Sequence, residues 1–99
     1  MNIAKEQNAN ALNIALAGRL DTVTAPALAT EVSAYALNDI TALTLDFSEL
    51  EYISSAGLRV LLSAQKIMNK QGTMVIKNVN NTIMEVLEIT GFVDILTIQ

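Results

Sequence analysis

The sequence predicts one α/β domain: a mixed, mostly parallel sheet, opened by a hairpin and covered by helices. Three observations carry that expectation. Two strand-like runs stand at the start with only a turn between them, helical and strand periodicities alternate from there to the end, and no linker, repeat or low-complexity tract interrupts the 99 residues. Strands separated by helices must be joined by crossovers, which are right-handed between parallel strands, so the helices are expected against the sheet. Residues 1–99 suffice for a single core and are too few for a second domain beside it.

Residues 2–7 read as a weak strand, Asn8-Ala9-Asn10 as a turn, and residues 12–16 as a better strand closed by Gly18. Residues 22–28 read as a helix start, because Thr24 can cap and Pro26 falls in the first turn, where its missing N–H is harmless. Leu28, Val32, Tyr35 and Ala36 then recur at helical spacing. Residues 41–47, with the run Leu43-Thr44-Leu45, are expected to form a buried strand. Residues 54–72 are the clearest helix, with Gly72 as its stop and Lys66 and Lys70 suited to the negative end of its dipole. A strand over 73–79, a helix over 81–90 ended by Gly91, and a last strand over 93–98 complete the chain.

Composition excludes several classes of activity. There is no cysteine and no histidine, hence no disulfide framework, no zinc or haem site of the usual kinds, no Ser-His-Asp triad and no Cys-His dyad. No Gly-x-Ser-x-Gly elbow is present, so a serine hydrolase is not expected. The carboxylates Asp46, Glu49 and Glu51 lack the spacing of a calcium loop, and no metal or cofactor is implied. Aromatic residues are 4% of the chain against 52% apolar, so the core must be aliphatic and a small ligand that needs an aromatic cage or stacking platform is poorly served. A net charge of −4 with scattered bases gives no footprint for nucleic acid. No run reaches the ~18 apolar residues of a membrane span, and the expectation is a soluble, cytoplasmic protein.

Parallel strands with helical crossovers gather their C-terminal ends at one edge, where open sheets place their sites. Asp21, after the second strand, Asp46, at the expected end of the third, and Ser54-Ser55, at the following helix start, are expected to converge there. A serine at a helix N-terminus can cap it, and a phosphorylated one places a dianion where the peptide dipoles favour negative charge. Neither serine is followed three residues later by Glu or Gln, so no capping box forms. On the helix, Gly57, Val60, Leu61, Ala64, Ile67 and Met68 share one face while Arg59, Ser63, Lys66 and Lys70 share another. Leu58 and Leu62 fit neither group. They are either part of a deeply buried helix or an apolar surface that docks a partner's groove beside Ser55.

The stretch Tyr52-Ile53-Ser54-Ser55-Ala56-Gly57-Leu58, with Leu45-Asp46-Phe47-Ser48 before it and Gly18-Arg19-Leu20-Asp21 and Thr24-Ala25 earlier, resembles the STAS domain of bacterial anti-sigma factor antagonists. The likeness extends through Ile89-Thr90-Gly91-Phe92 and so covers essentially the whole chain. It implies a STAS-like fold and a protein that is the phosphorylation substrate of an anti-sigma factor serine kinase rather than an enzyme. The family's acceptor serine matches Ser55, with Ser54 the fallback. The aspartate that precedes that acceptor in the family falls on Ser54, and the Ser/Thr that follows it falls on Ala56. The family's aspartate after Gly-x-Leu matches Asp21. Relatives often carry a C-terminal helix that is not found before Gln99 here, and the resemblance leaves a reduced or a clipped form of the domain as the two expectations.

The expected partner-facing residues are therefore Asp21, Thr22, Ser54, Ser55, Gly57, Leu58 and Leu62. The expected partners are the kinase, which supplies the ATP, and a phosphoserine phosphatase; neither nucleic acid nor membrane is among them. The alternative is a STAS module that senses a nucleotide or small anion at the same strand ends, or serves as a scaffold, without phosphorylation.

Overall fold

The structure, a computed structural model, describes residues 1–36 and 40–99; the side chains of Tyr35 and Ala36, which recur at helical spacing in the first helix, lie outside the described residues. The elements in chain order are β1 (Asn2–Asn8), β2 (Ala11–Leu20), α1 (Ala25–Ala36), β3 (Ala42–Ile53), α2 (Ser55–Gln71), β4 (Thr73–Lys77), α3 (Asn81–Ile89) and a 3₁₀ turn at Phe92–Asp94. β1 and β2 form the hairpin, antiparallel from Asn2 opposite Ala17 to Asn8 opposite Ala11. β3 and β4 then join in parallel, giving the order β1-β2-β3-β4.

That order decides where the helices go. β2, β3 and β4 step across the sheet in one direction, so right-handed crossovers lay α1 and α2 on the same face. Leu12, Ile14 and Leu16 of β2, Leu43, Leu45 and Phe47 of β3, and Met74 and Ile76 of β4 are buried beneath them. Leu28 of α1, Leu61 and Met68 of α2, and Ile83 and Leu87 of α3 close this aliphatic core from above. The opposite face carries Asn13, Ala15, Thr44, Asp46 and Lys77, small or polar residues that fit a surface without helices. No strand order reverses along this sheet, so it has no topological switch point of the kind that makes a ligand crevice.

Both central strands run further than expected. β2 does not close at Gly18 but continues to Leu20, and Gly18 adopts φ +96° where the register with β3 slips, a conformation open to glycine and strained for other residues. β3 does not end at Phe47 but continues to Ile53. It carries one extra residue against β2 between the Ala15–Asp46 and Ala17–Glu49 pairs, and a second between Gly18–Leu50 and Arg19–Tyr52. These bulges reset the alternation, so that Leu45, Phe47, Leu50 and Ile53 are all buried although their spacing changes from two to three.

The expected last strand over 93–98 is replaced by the 3₁₀ turn and a single parallel bridge between Ile98 and Ile76. Thr24 does not cap α1. Its hydroxyl accepts from the Asp21 N–H (2.9 Å) and donates to the Arg19 carbonyl (2.7 Å), folding the turn back onto β2. Gly72 does end α2, its N–H donating to the Met68 carbonyl at 2.7 Å. A Cβ there would run into the carbonyl of Thr41, which is why no larger residue fits.

Candidate functional site

β2 and β3 finish side by side, with Leu20 opposite Ile53. The carbonyl of Leu20 accepts the N–H of Ser54 at 2.9 Å, so the chain passes from β3 into α2 while still bonded to its neighbour strand. Ser54 is extended (φ −101°, ψ 176°) and is the N-cap: its Oγ accepts from the Gly57 N–H at 3.4 Å, and its carbonyl accepts from the Leu58 N–H at 2.9 Å. Ser55 is the first helical residue and is exposed, whereas Ser54 is half-buried. The two serines thus hold different positions: one closes the helix and the other presents a hydroxyl to solvent at its positive end.

On the β2 side, Asp21 organises the turn. Its Oδ1 accepts from the N–H groups of Val23 (3.0 Å) and Thr24 (3.1 Å), and its carbonyl accepts from Ala25 at 2.8 Å. The Thr24 N–H chiefly, with the Thr24 hydroxyl, the Val23 N–H and the Arg19 charge behind it, holds the Asp21 carboxyl below the usual carboxylate range against a smaller opposing effect of burial. Arg19 Nε lies 3.7 Å from Asp21 Oδ2, and the same guanidinium sits 4.0 Å from the centre of the Tyr52 ring. Thr22 and Val23 project from this turn into solvent, Val23 at 85% exposure, and Tyr52 is 40% exposed.

Asp21, Thr22, Ser54 and Ser55 are therefore brought together at the ends of β2 and β3. Asp46 is not. It lies within β3, seven residues before Ile53 and hence roughly 20 Å along an extended strand from the site, on the sheet face without helices, opposite Ala15 and Lys77. Its Oδ1 accepts from the Ser48 N–H (2.9 Å) and from Asn78 Nδ2 (3.1 Å), and these donors, Ser48 first, hold its carboxyl below the usual range.

Gly57 and Leu58 offer no surface to a partner. Gly57 is buried so closely that a Cβ would stand 2.8 Å from Leu20 Cγ and 2.9 Å from Ile53 Cγ1. Leu58 is buried at 7% exposure, which corrects its expected docking role. The buried arc of α2 is Gly57, Leu58, Leu61, Ala64, Gln65 and Met68. It is centred nearer Leu58 than the expected face, so Val60 and Ile67 lie half-buried on the flank toward α1, and Leu62 is half-buried on the other flank.

The expected partner-facing set leaves out Arg19, Val23 and Tyr52, which stand around the same strand ends. Val23 carried a usable signal, an apolar side chain within the polar turn Asp21-Thr22-Val23-Thr24. Tyr52 was hidden by the bulges in β3. Among the described residues no group of three or more acidic side chains is placed to hold a metal ion, and no helix is long and apolar enough to cross a membrane.

The STAS domain family model matches residues 2–99. The anti-sigma-B factor antagonist of Listeria monocytogenes is 31% identical over 103 residues, an alignment that takes in 100% of this chain and 90% of that one. Among solved structures, an anti-sigma factor antagonist from Mycobacterium paratuberculosis superposes with a TM-score of 0.88 at 23% identity, covering 98% of this chain and 83% of its own. The Bacillus cell fate determinant SpoIIAA in its phosphorylated form superposes with a TM-score of 0.78 at 18% identity, covering 99% and 91%. The chain belongs to the STAS domain family of anti-sigma factor antagonists.

Proposed function

We propose that this protein is a cytoplasmic anti-sigma factor antagonist that works by partner switching. With Ser55 unmodified it binds an anti-sigma factor that is also a serine kinase, and the sigma factor held by that kinase is released. Phosphorylation of Ser55 ends the binding, and a phosphoserine phosphatase restores it. The protein is the substrate of the reaction, and ATP belongs to the kinase.

The observation that carries this reading is the separation of roles at the start of α2, where Ser54 is engaged as the cap and Ser55 is left exposed as the first helical residue. A neutral hydroxyl enters an interface at small cost. A phosphoserine adds about −1.5 to −2 charges that must be desolvated and paired. A 100-fold loss of affinity needs only about 2.7 kcal/mol, within what one unpaired charge costs. Within the domain the same charge is tolerated, because it stands at the N-terminus of a 17-residue helix.

Incubation with the cognate kinase and ATP, followed by intact mass and peptide mapping, tests the assignment. Ser55→Ala is expected to bind the kinase and take up no phosphate, and Ser55→Asp to bind it weakly. Equal binding by the native protein and both variants would remove the switch.

A further inference from the structure

We infer that Arg59 transmits the charge state of Ser55 to the cleft between α1 and α2, an inference that rests on Ser55 being the modified residue. Arg59 stands one helical turn beyond Ser55, and its Nε donates to the Ser55 carbonyl at 3.5 Å, a long bond near the limit for such contacts. The same side chain lines a cleft of about 150 Å³ whose apolar walls include Val32 of α1 and Val60 and Ile67 of α2. Arg59 therefore touches both places at once, the backbone of the acceptor serine and the mouth of the groove.

The other bases are engaged or distant. Lys5 pairs with Glu31 at 2.9 Å and Arg19 with Asp21 at 3.7 Å, while Lys66 and Lys70 lie two and three turns further along α2 and Lys77 projects on the helix-free sheet face. Among the described residues Arg59 has no carboxylate within ion-pair distance. A phosphate on Ser55 supplies three acceptor oxygens that a guanidinium binds in bidentate fashion, and a charge-assisted pair replaces a weak bond to a neutral carbonyl. Arg59 turns toward the phosphate and leaves the groove. The mouth of the cleft then presents a cation when Ser55 is free and an apolar lining when Ser55 is phosphorylated.

The test uses the full chain with phosphoserine encoded at position 55, so that no kinase is required. It compares the native background with Arg59→Gln, Arg59→Lys and, as a control further along the exposed side of α2, Lys66→Gln. By NMR, the phosphate is expected to move the Arg59 Nε–Hε resonance downfield and to shift the methyl resonances of Val32, Val60 and Ile67. Those methyl shifts should fall several-fold in Arg59→Gln, recover in part in Arg59→Lys and persist in Lys66→Gln. An unmoved Nε–Hε resonance, or methyl shifts undiminished in Arg59→Gln, would overturn the inference. If the encoded phosphate moves these resonances as expected while the kinase leaves Ser55 unlabelled, the coupling stands and the proposed function falls.

Discussion

The N–H of Ser54 donates to the carbonyl of Leu20 at 2.9 Å, and this bond joins the start of α2 to the end of β2. Because Asp21 follows Leu20 and Ser55 follows Ser54, it also sets the spacing between the acidic turn and the exposed serine. The site is built on strand ends that the core already fixes, and its geometry does not depend on a flexible loop.

The two serines can be separated by mutation. Ser54→Ala removes the side-chain acceptor for the Gly57 N–H, and loss of such a cap costs about 1 kcal/mol, the long 3.4 Å contact favouring the low end of the range. For a domain of this size that lowers Tm by about 4–8 °C. Ser55→Ala should leave Tm nearly unchanged, since the exposed hydroxyl closes no helix bond. Thermal melts of both variants, paired with phosphate incorporation, check the assignment; a larger loss of stability in Ser55→Ala would invert it.

Gly57→Ala places two effects in opposition. Helix propensity favours alanine by about 1 kcal/mol, but the new Cβ meets Leu20 Cγ at 2.8 Å and Ile53 Cγ1 at 2.9 Å. Both are branch-point or chain atoms near the backbone that cannot simply swing away, and overpacking of this kind costs about 1–3 kcal/mol. A net loss of stability by urea denaturation is expected. A gain would mean that the junction between α2 and the ends of β2 and β3 is looser than these distances say.

Much of this was legible in the residues. The hairpin, both helix crossovers, a serine cap at the start of α2, its stop at Gly72 and the pairing of Asp21 with the serines follow from periodicity and from turn chemistry, whereas which of the two serines caps does not. The placement of Asp46 did not follow, because the two extra residues of β3 break the period-two signal after Phe47, so that the expected strand stops there and residues 48–53 fall outside it. The strand expected over 93–98 failed because alternation alone cannot show that only Ile98 finds a pairing partner beside β4. Leu58 was misplaced for a third reason: an apolar arc wider than the buried stripe does not say which part of it faces the sheet.

The burial of Leu58 can be tested by truncation. Leu58→Ala empties a position at 7% exposure, and truncating a buried leucine costs about 2–5 kcal/mol. Leu62, half-buried on the flank, should lose about 1 kcal/mol when truncated. A kinase-binding defect in Leu58→Ala should therefore track its unfolded fraction and vanish when binding is measured at low temperature. A Leu58→Ala protein as stable as the native one would return Leu58 to the surface.

Stability should be level from neutral pH down to about 5 and fall below about 4. The chain has no histidine to titrate in the upper interval. Asp21 and Asp46 are held below the ordinary carboxylate value in the folded protein, chiefly by the N–H groups of Thr24 and Ser48, and return to about 3.9 when it unfolds. A folded value below the unfolded one means that the native state favours the ionised form. The associated stability is complete above the unfolded pKa and is lost as pH falls toward the lower folded values. Asp21→Asn combined with Asp46→Asn keeps an acceptor oxygen at each position and removes the charge, so the double variant should be less stable at pH 7 and show a shallower decline between pH 5 and 2. Urea midpoints measured across that interval check the sign, and an acid limb as steep as the native one would show that these two carboxylates do not drive it.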